Sequence, residues 1–257
     1  MGDYKDLKLN YTTPIKFISG DVFEYDIKAA FLTFVLNYCT DIVSVQKLEH
    51  LKDISDNKLK RNIYIGLLQR GYKPMLGEKL TDLTKMFLDH FIRENQLSFD
   101  DIVSIKKDAI FVTKKCNVLL IDKVTFVEKN HYNYFYKFRS GKGQQLELYT
   151  GDNDSSLKGA QHHQSNDKKL FELLPLVLTK FQELSFPDFI LFSKGIKKRL
   201  ETVDKTYLTD ESTIHLNNMI KTKYKNIRGT KYEAELNYKS FIDDYFVPLV
   251  NELLTGD

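Results

Sequence analysis

DVFEYDIKAAFLTFVLNY, residues 21–38, sets the frame for the rest of the chain. Val22, Glu24 and Asp26 alternate with Phe23, Tyr25 and Ile27, the period of two that belongs to a strand. From Lys28 onward good helix formers follow with no breaker, so the stretch predicts a strand running straight into a helix. Asp26 sits where that strand closes. Glu24 lies two residues before it and shares its face.

The stretch lies in a chain of 257 residues with 42% apolar and 28% charged residues, long enough for one large or two small domains and too apolar to be disordered. No apolar run approaches the ~20 residues that span a bilayer. The start, MGDYKDLKLN, is too polar for a signal peptide, and an intracellular protein is expected. Cys39 and Cys116 stand in apolar contexts without a C-x-x-C pair and are expected to be buried free thiols. The net charge of +3 is small, but residues 190–231 carry ten Lys/Arg against four Asp/Glu, an excess of six. A localised polyanion contact is the expectation.

Downstream of the opening stretch, Leu80, Leu83, Phe87, Leu88, Phe91 and Ile92 fall at i, i+3, i+4, i+7 spacing and predict an amphipathic helix over 77–95. A β-rich region follows: DIVSI, AIFVT, NVLLI, VTFV, YNYFYKF and QLELYT, separated by polar turns as in an antiparallel meander. Residues 151–169 hold one leucine in nineteen positions and predict a linker or loop. Helical patterns occupy 170–182, about 187–200, about 210–222 and 233–254. The fold class is α+β, with an α+β part over 1–150, the polar stretch 151–169 and a helical part over 170–257.

SIKKDAIFV (104–112) pinches two apolar runs around Lys106, Lys107 and Asp108, and predicts a hairpin with a carboxylate at its tip. On adjacent strands of one sheet, Asp26 and Asp108 could converge. Oxygen ligands of this kind suit Mg²⁺, which takes one or two carboxylates and completes its shell with water and phosphate. A pair of solvated turn carboxylates satisfies the same spacing.

Three motifs turn this spacing into a resemblance. EYDIKAAF (24–31) resembles motif A of the family B DNA polymerases, a strand ending in Asp with an aromatic residue five positions on. KLKRNIYIG (58–66) is similar to motif B, matching at Lys58, Asn62 and Gly66. SIKKDAIF resembles motif C, with Asp108 at the second aspartate and Lys106 at the first. ELNYKSFIDDYFVPLVNELL (235–254) resembles the helix that closes the thumb. The resemblance covers residues 20–257 in the family's order. Motif A departs from it at Ala29 and Leu32, and motif B at Ile63 and Ile65.

The resemblance implies a palm with an antiparallel sheet and packed helices, a short fingers-like insert over about 40–98, and a helical thumb. Asp26 and Asp108, with Glu24 as a third oxygen ligand, would hold two Mg²⁺ ions about 4 Å apart for nucleotidyl transfer on a primer–template. Phe31 would take the place of the residue that excludes a ribose 2′-hydroxyl, and Lys58 and Asn62 would lie over the incoming nucleotide. Lys106 and Lys107 would meet primer phosphate, and Lys137 and Arg139 would correspond to a lysine-and-tyrosine motif beside the primer. Lys221, Lys223, Lys225 and Arg228 would grip the duplex backbone from the thumb. The source expected is a DNA virus or phage, acting in the host cytoplasm, with another viral protein supplying missing polymerase domains. The alternative is a non-catalytic palm that binds nucleic acid or serves as a scaffold in a replication or transcription complex.

Overall fold

The structure, a computed structural model, describes residues 6–152, 154–159, 173–202 and 241–255. It divides into two compact units, the first formed by residues 1–14 and 21–131 and the second by 15–20 and 132–257. The fold class is α+β, as expected.

In the first unit, β1 (Asn10–Thr12), β3 (Ile102–Lys106), β4 (Ala109–Val112), β2 (Phe17–Ile27) and β6 (Val124–Arg139) follow one another across the sheet in that order. The three stretches DVFEYDI, DIVSI and AIFVT are neighbouring antiparallel strands: Asp26 faces Ala109 across β2–β4, and Ile105 faces Ile110 across β3–β4. β5 (Leu120–Ile121) pairs with the start of β6. Only this short end of NVLLI forms a strand.

Four helices belong to the same unit: α1 (Ala30–Tyr38), α2 (Val45–Asp53), α3 (Lys58–Gly71) and α4 (Met75–Glu94). Leu80, Leu83, Phe87, Leu88 and Phe91 of α4 are buried, as the spacing predicts, and join Phe34 and Val35 of α1 in one core. Phe91 stacks on Phe126 at 4.2 Å between centroids and meets Tyr25 at 5.4 Å, which ties α4 to β6 and β2. Fully burying each such ring contributes about 1.5–3 kcal/mol, so the face of the sheet that carries Tyr25 is fixed by aromatic packing.

VTFV and YNYFYKF are not two strands but one. β6 runs unbroken for 16 residues. The polar residues between them, Glu128 to His131, read as a turn, yet each is satisfied across the sheet. As β2 ascends from Asp21 to Asp26, its partners on β6 descend from His131 to Lys129, the order of an antiparallel pair.

The second unit holds the rest of β6, β7 (Gln145–Thr150), β8 (Ser155–Lys158), α5 (Leu173–Glu183), α6 (Phe186–Thr202), a π-helical turn at Ile242–Phe246 and α7 (Val247–Thr255). Tyr136, Phe138, Leu146 and Leu148 of the strands share a core with Leu174, Val177 and Leu178 of α5, Phe189 of α6 and Leu249 of α7. That apolar strand face needs a cover, and the leucines of α5 supply it. The helical part therefore includes strands, the division falls after His131 and not within 151–169, and β8 forms inside the stretch read as a linker. The helix over 210–222 and the start of that over 233–254 lie outside the described residues.

Two glycines are placed by backbone geometry. Gly20 has φ +143, a conformation that side chains disfavour, at the point where β2 passes from one unit's residues to the other's. Gly141, in the β6–β7 turn, donates its N–H to the Asp244 carbonyl at 2.9 Å, and a Cβ there would collide with the Asp243 carbonyl.

Candidate carboxylate site

Asp26 is the penultimate residue of β2, and the adjacent Ile27 N–H donates to the Asp108 carbonyl at 3.2 Å. Asp108 follows Lys107 in a two-residue turn between β3 and β4, so the hairpin tip lies against the end of β2. Burial and, after it, the Asp26 carboxylate push Asp108 above the usual carboxylate range. The end of β2 and the hairpin tip thus lie side by side. Glu24, wholly buried at 1% exposure, lies two residues earlier on the same strand face as Asp26.

A residue that the sequence did not single out enters this group. The Lys129 ammonium of β6 lies 3.3 Å from Asp26 Oδ2 and 3.8 Å from Glu24 Oε1. Burial alone would lower its pKa. Asp26 and Glu24, and then Asp108, outweigh burial and hold it above the ordinary lysine value. Next to it, Asn130 Nδ2 donates to Glu24 Oε2 at 2.6 Å. His131 Nε2 meets Asp21 Oδ1 at 2.7 Å and stacks on Phe23. Glu128 accepts from the Tyr25 hydroxyl at 3.3 Å. The signal for this ladder was present: an acidic strand, D-V-F-E-Y-D, and a polar E-K-N-H run between two β segments.

These donors bear on the two-ion expectation. A divalent ion needs carboxylate lone pairs free to face it, and here they receive an ammonium and an amide. Among the described residues, no group of three or more His, Cys, Asp or Glu side chains could hold a metal ion. In this arrangement Asp26, Glu24 and Asp108 do not fit two Mg²⁺ ions.

The other expected site residues are spread out. Lys106 turns away from the carboxylates, and its ammonium donates to Asn10 Oδ1 at 3.1 Å and Thr12 Oγ1 at 2.9 Å on β1. Lys107 is exposed at the tip, with φ +57. Phe31 is 43% exposed in the first turn of α1. Lys58 and Asn62 are exposed near the start of α3, which Asn57 caps by accepting the Lys60 N–H at 3.0 Å.

Lys137 is half-buried opposite Glu147, itself 2% exposed. Burial lowers its pKa, against the pull of Glu147 and with help from Lys16. Lys137 thus stands half-buried in the β6–β7 pair, opposite Glu147. Arg139 is exposed, and its backbone N–H donates to Glu252 Oε1 at 2.8 Å. Lys221, Lys223, Lys225, Arg228 and the pair His162-His163 lie outside the described residues. Among those described, no helix is long and apolar enough to cross a membrane.

Residues 4–143 match the family described as the bacteriophage PBS1 gene 130 protein. No curated protein matches the sequence. Among solved structures, the family B DNA polymerase of the hyperthermophilic archaeon Pyrobaculum calidifontis matches with a TM-score of 0.44 and 12% identity, over 74% of this chain. The chain spans 34% of that polymerase's length.

Proposed function

The chain belongs to the family of the bacteriophage PBS1 gene 130 protein, and on that premise we propose that it is a palm-like nucleic-acid-binding protein of a phage replication or transcription complex, acting in the host cytoplasm. Primer–template nucleic acid is its partner, and another phage protein supplies further polymerase parts. The observation that carries the reading is the state of the carboxylates. The end of β2 that carries Asp26 lies against the turn that carries Asp108, and the Lys129 ammonium lies 3.3 Å from the Asp26 carboxylate. A palm that keeps this architecture while its acidic centre is filled by an ammonium is suited to holding nucleic acid and not to transferring nucleotides. The likeness to family B polymerases supports the choice of nucleic acid as ligand, as does the basic excess over residues 190–231.

The test is a primed DNA duplex offered to the full chain with deoxynucleotides and Mg²⁺ or Mn²⁺. The expected result is salt-sensitive binding with no primer extension. Extension that Asp108→Asn abolishes would overturn the reading in favour of a second one, nucleotidyl transfer, which the closeness of Asp26 and Asp108 favours. Absence of duplex binding at low salt would remove both.

A further inference from the structure

We infer that Lys129 is the resident cation of the carboxylate site, an internal counter-ion that keeps divalent metal out. Three observations lead there. The ammonium is within ion-pair distance of two carboxylates from one strand face, Asp26 at 3.3 Å and Glu24 at 3.8 Å. Asp108, in the β3–β4 turn, adds to the pull on the same ammonium, so two strands, β2 and β6, and one turn contribute charge here. Glu24 is 1% exposed, and a carboxylate so buried needs a positive or donating partner to remain ionised. Lys129 and Asn130 provide both.

The charge balance explains why the lysine suffices. One ammonium offsets part of the repulsion among the carboxylates, and its three N–H donors can be shared between them. A hydrated divalent ion entering the same space would stand a few ångströms from that ammonium, whose repulsion and hold on Asp26 and Glu24 reduce what the carboxylates offer the ion. Lys129 has a half-exposed side chain, 51%, so its stem reaches in from the rim and the site would open to solvent if the ammonium were removed. Lys106, which stands at the first aspartate of the motif C likeness, donates to Asn10 and Thr12 on β1.

This inference rests on the carboxylate placement used in the functional reading, but its test reads metal binding and not nucleic acid, so the two can fail separately. The probe is Mn²⁺ alone, followed through the loss of its free-ion paramagnetic resonance signal, with full-length wild type, Lys129→Met and Lys129→Gln. Wild type is expected to bind Mn²⁺ no better than its Asp26→Asn variant does. Lys129→Met, checked for native circular dichroism, is expected to gain one site at least about tenfold tighter, the scale of one removed like charge a few ångströms away. Adding Asp26→Asn should abolish the gained site. Lys129→Gln serves as the second neutral variant if the methionine does not fold. Folded neutral variants that bind no tighter than wild type overturn the inference. So does a wild-type Mn²⁺ site that Asp26→Asn removes, and this measurement decides alone if neither variant folds.

Discussion

Cys39 and Cys116 are both free and buried, at 0% and 4% exposure, as the sequence context led one to expect. Burial pushes each thiol up to about 11 from an ordinary value of 9.0. The folded chain therefore keeps two protons that the unfolded chain releases above about pH 9. Stability from this source is complete below pH 9, falls between 9 and 11, and then levels off. Urea titrations at intervals from pH 7 to 11 should show the midpoint constant to about pH 8.5 and declining beyond it. At pH 8 a disulfide reagent should modify neither thiol in the native chain and both after unfolding. Modification of either one at the unfolded rate would contradict the burial. Cys116 has a further tie, since its backbone N–H donates to the Tyr25 hydroxyl at 2.9 Å, which places it directly behind the strand that carries Glu24 and Asp26.

At the scale of elements, periodic signals were legible and paired ones were not. α4, the β3–β4 hairpin and β2 follow from the spacing of their own residues, because apolar alternation is a local property. The continuity of β6 is not local. Glu128, Lys129, Asn130 and His131 look like a turn until Tyr25, Glu24, Asp26 and Asp21 are set beside them, so Lys129 was missed as a site residue. α2 and α3 also lack a strong apolar stripe: of the fourteen residues of α3, only Ile65 and Leu68 are buried. The hairpin tip carries a measurable cost. Lys107 holds φ +57, a left-handed conformation disfavoured by about 1–2 kcal/mol for a residue with a Cβ. Lys107→Gly should remove that strain and, after glycine's own entropy cost, raise stability by up to about 1 kcal/mol in chemical unfolding. If the exposed lysine also meets phosphate, the same variant should bind duplex more weakly. A stability gain without a loss of binding would remove Lys107 from the nucleic-acid surface.

Over the whole molecule, composition located the charge but not the division into two compact units. The polar stretch at 151–169 suggested a hinge, whereas the two units divide after His131 because the apolar face of β6 and β7 needs the leucines of α5 as its cover. Composition cannot report which helix covers which strand. The basic segment remains a property of the sequence. Replacing Lys221, Lys223, Lys225 and Arg228 together by Ala should weaken duplex binding and reduce the salt slope of log K by up to about four, near one per phosphate contact. An unchanged slope in a titration from 50 to 200 mM salt would assign the duplex contact to other residues. The first unit's sheet ends at β1, only three residues long, whose Asn10 and Thr12 side chains are held by the Lys106 ammonium. A strand end so short, with a cation fixed across it, offers a poor template for a second chain to add to. Resistance to edge-to-edge aggregation at high expression is the expected consequence, with Lys106 as the residue that secures the edge.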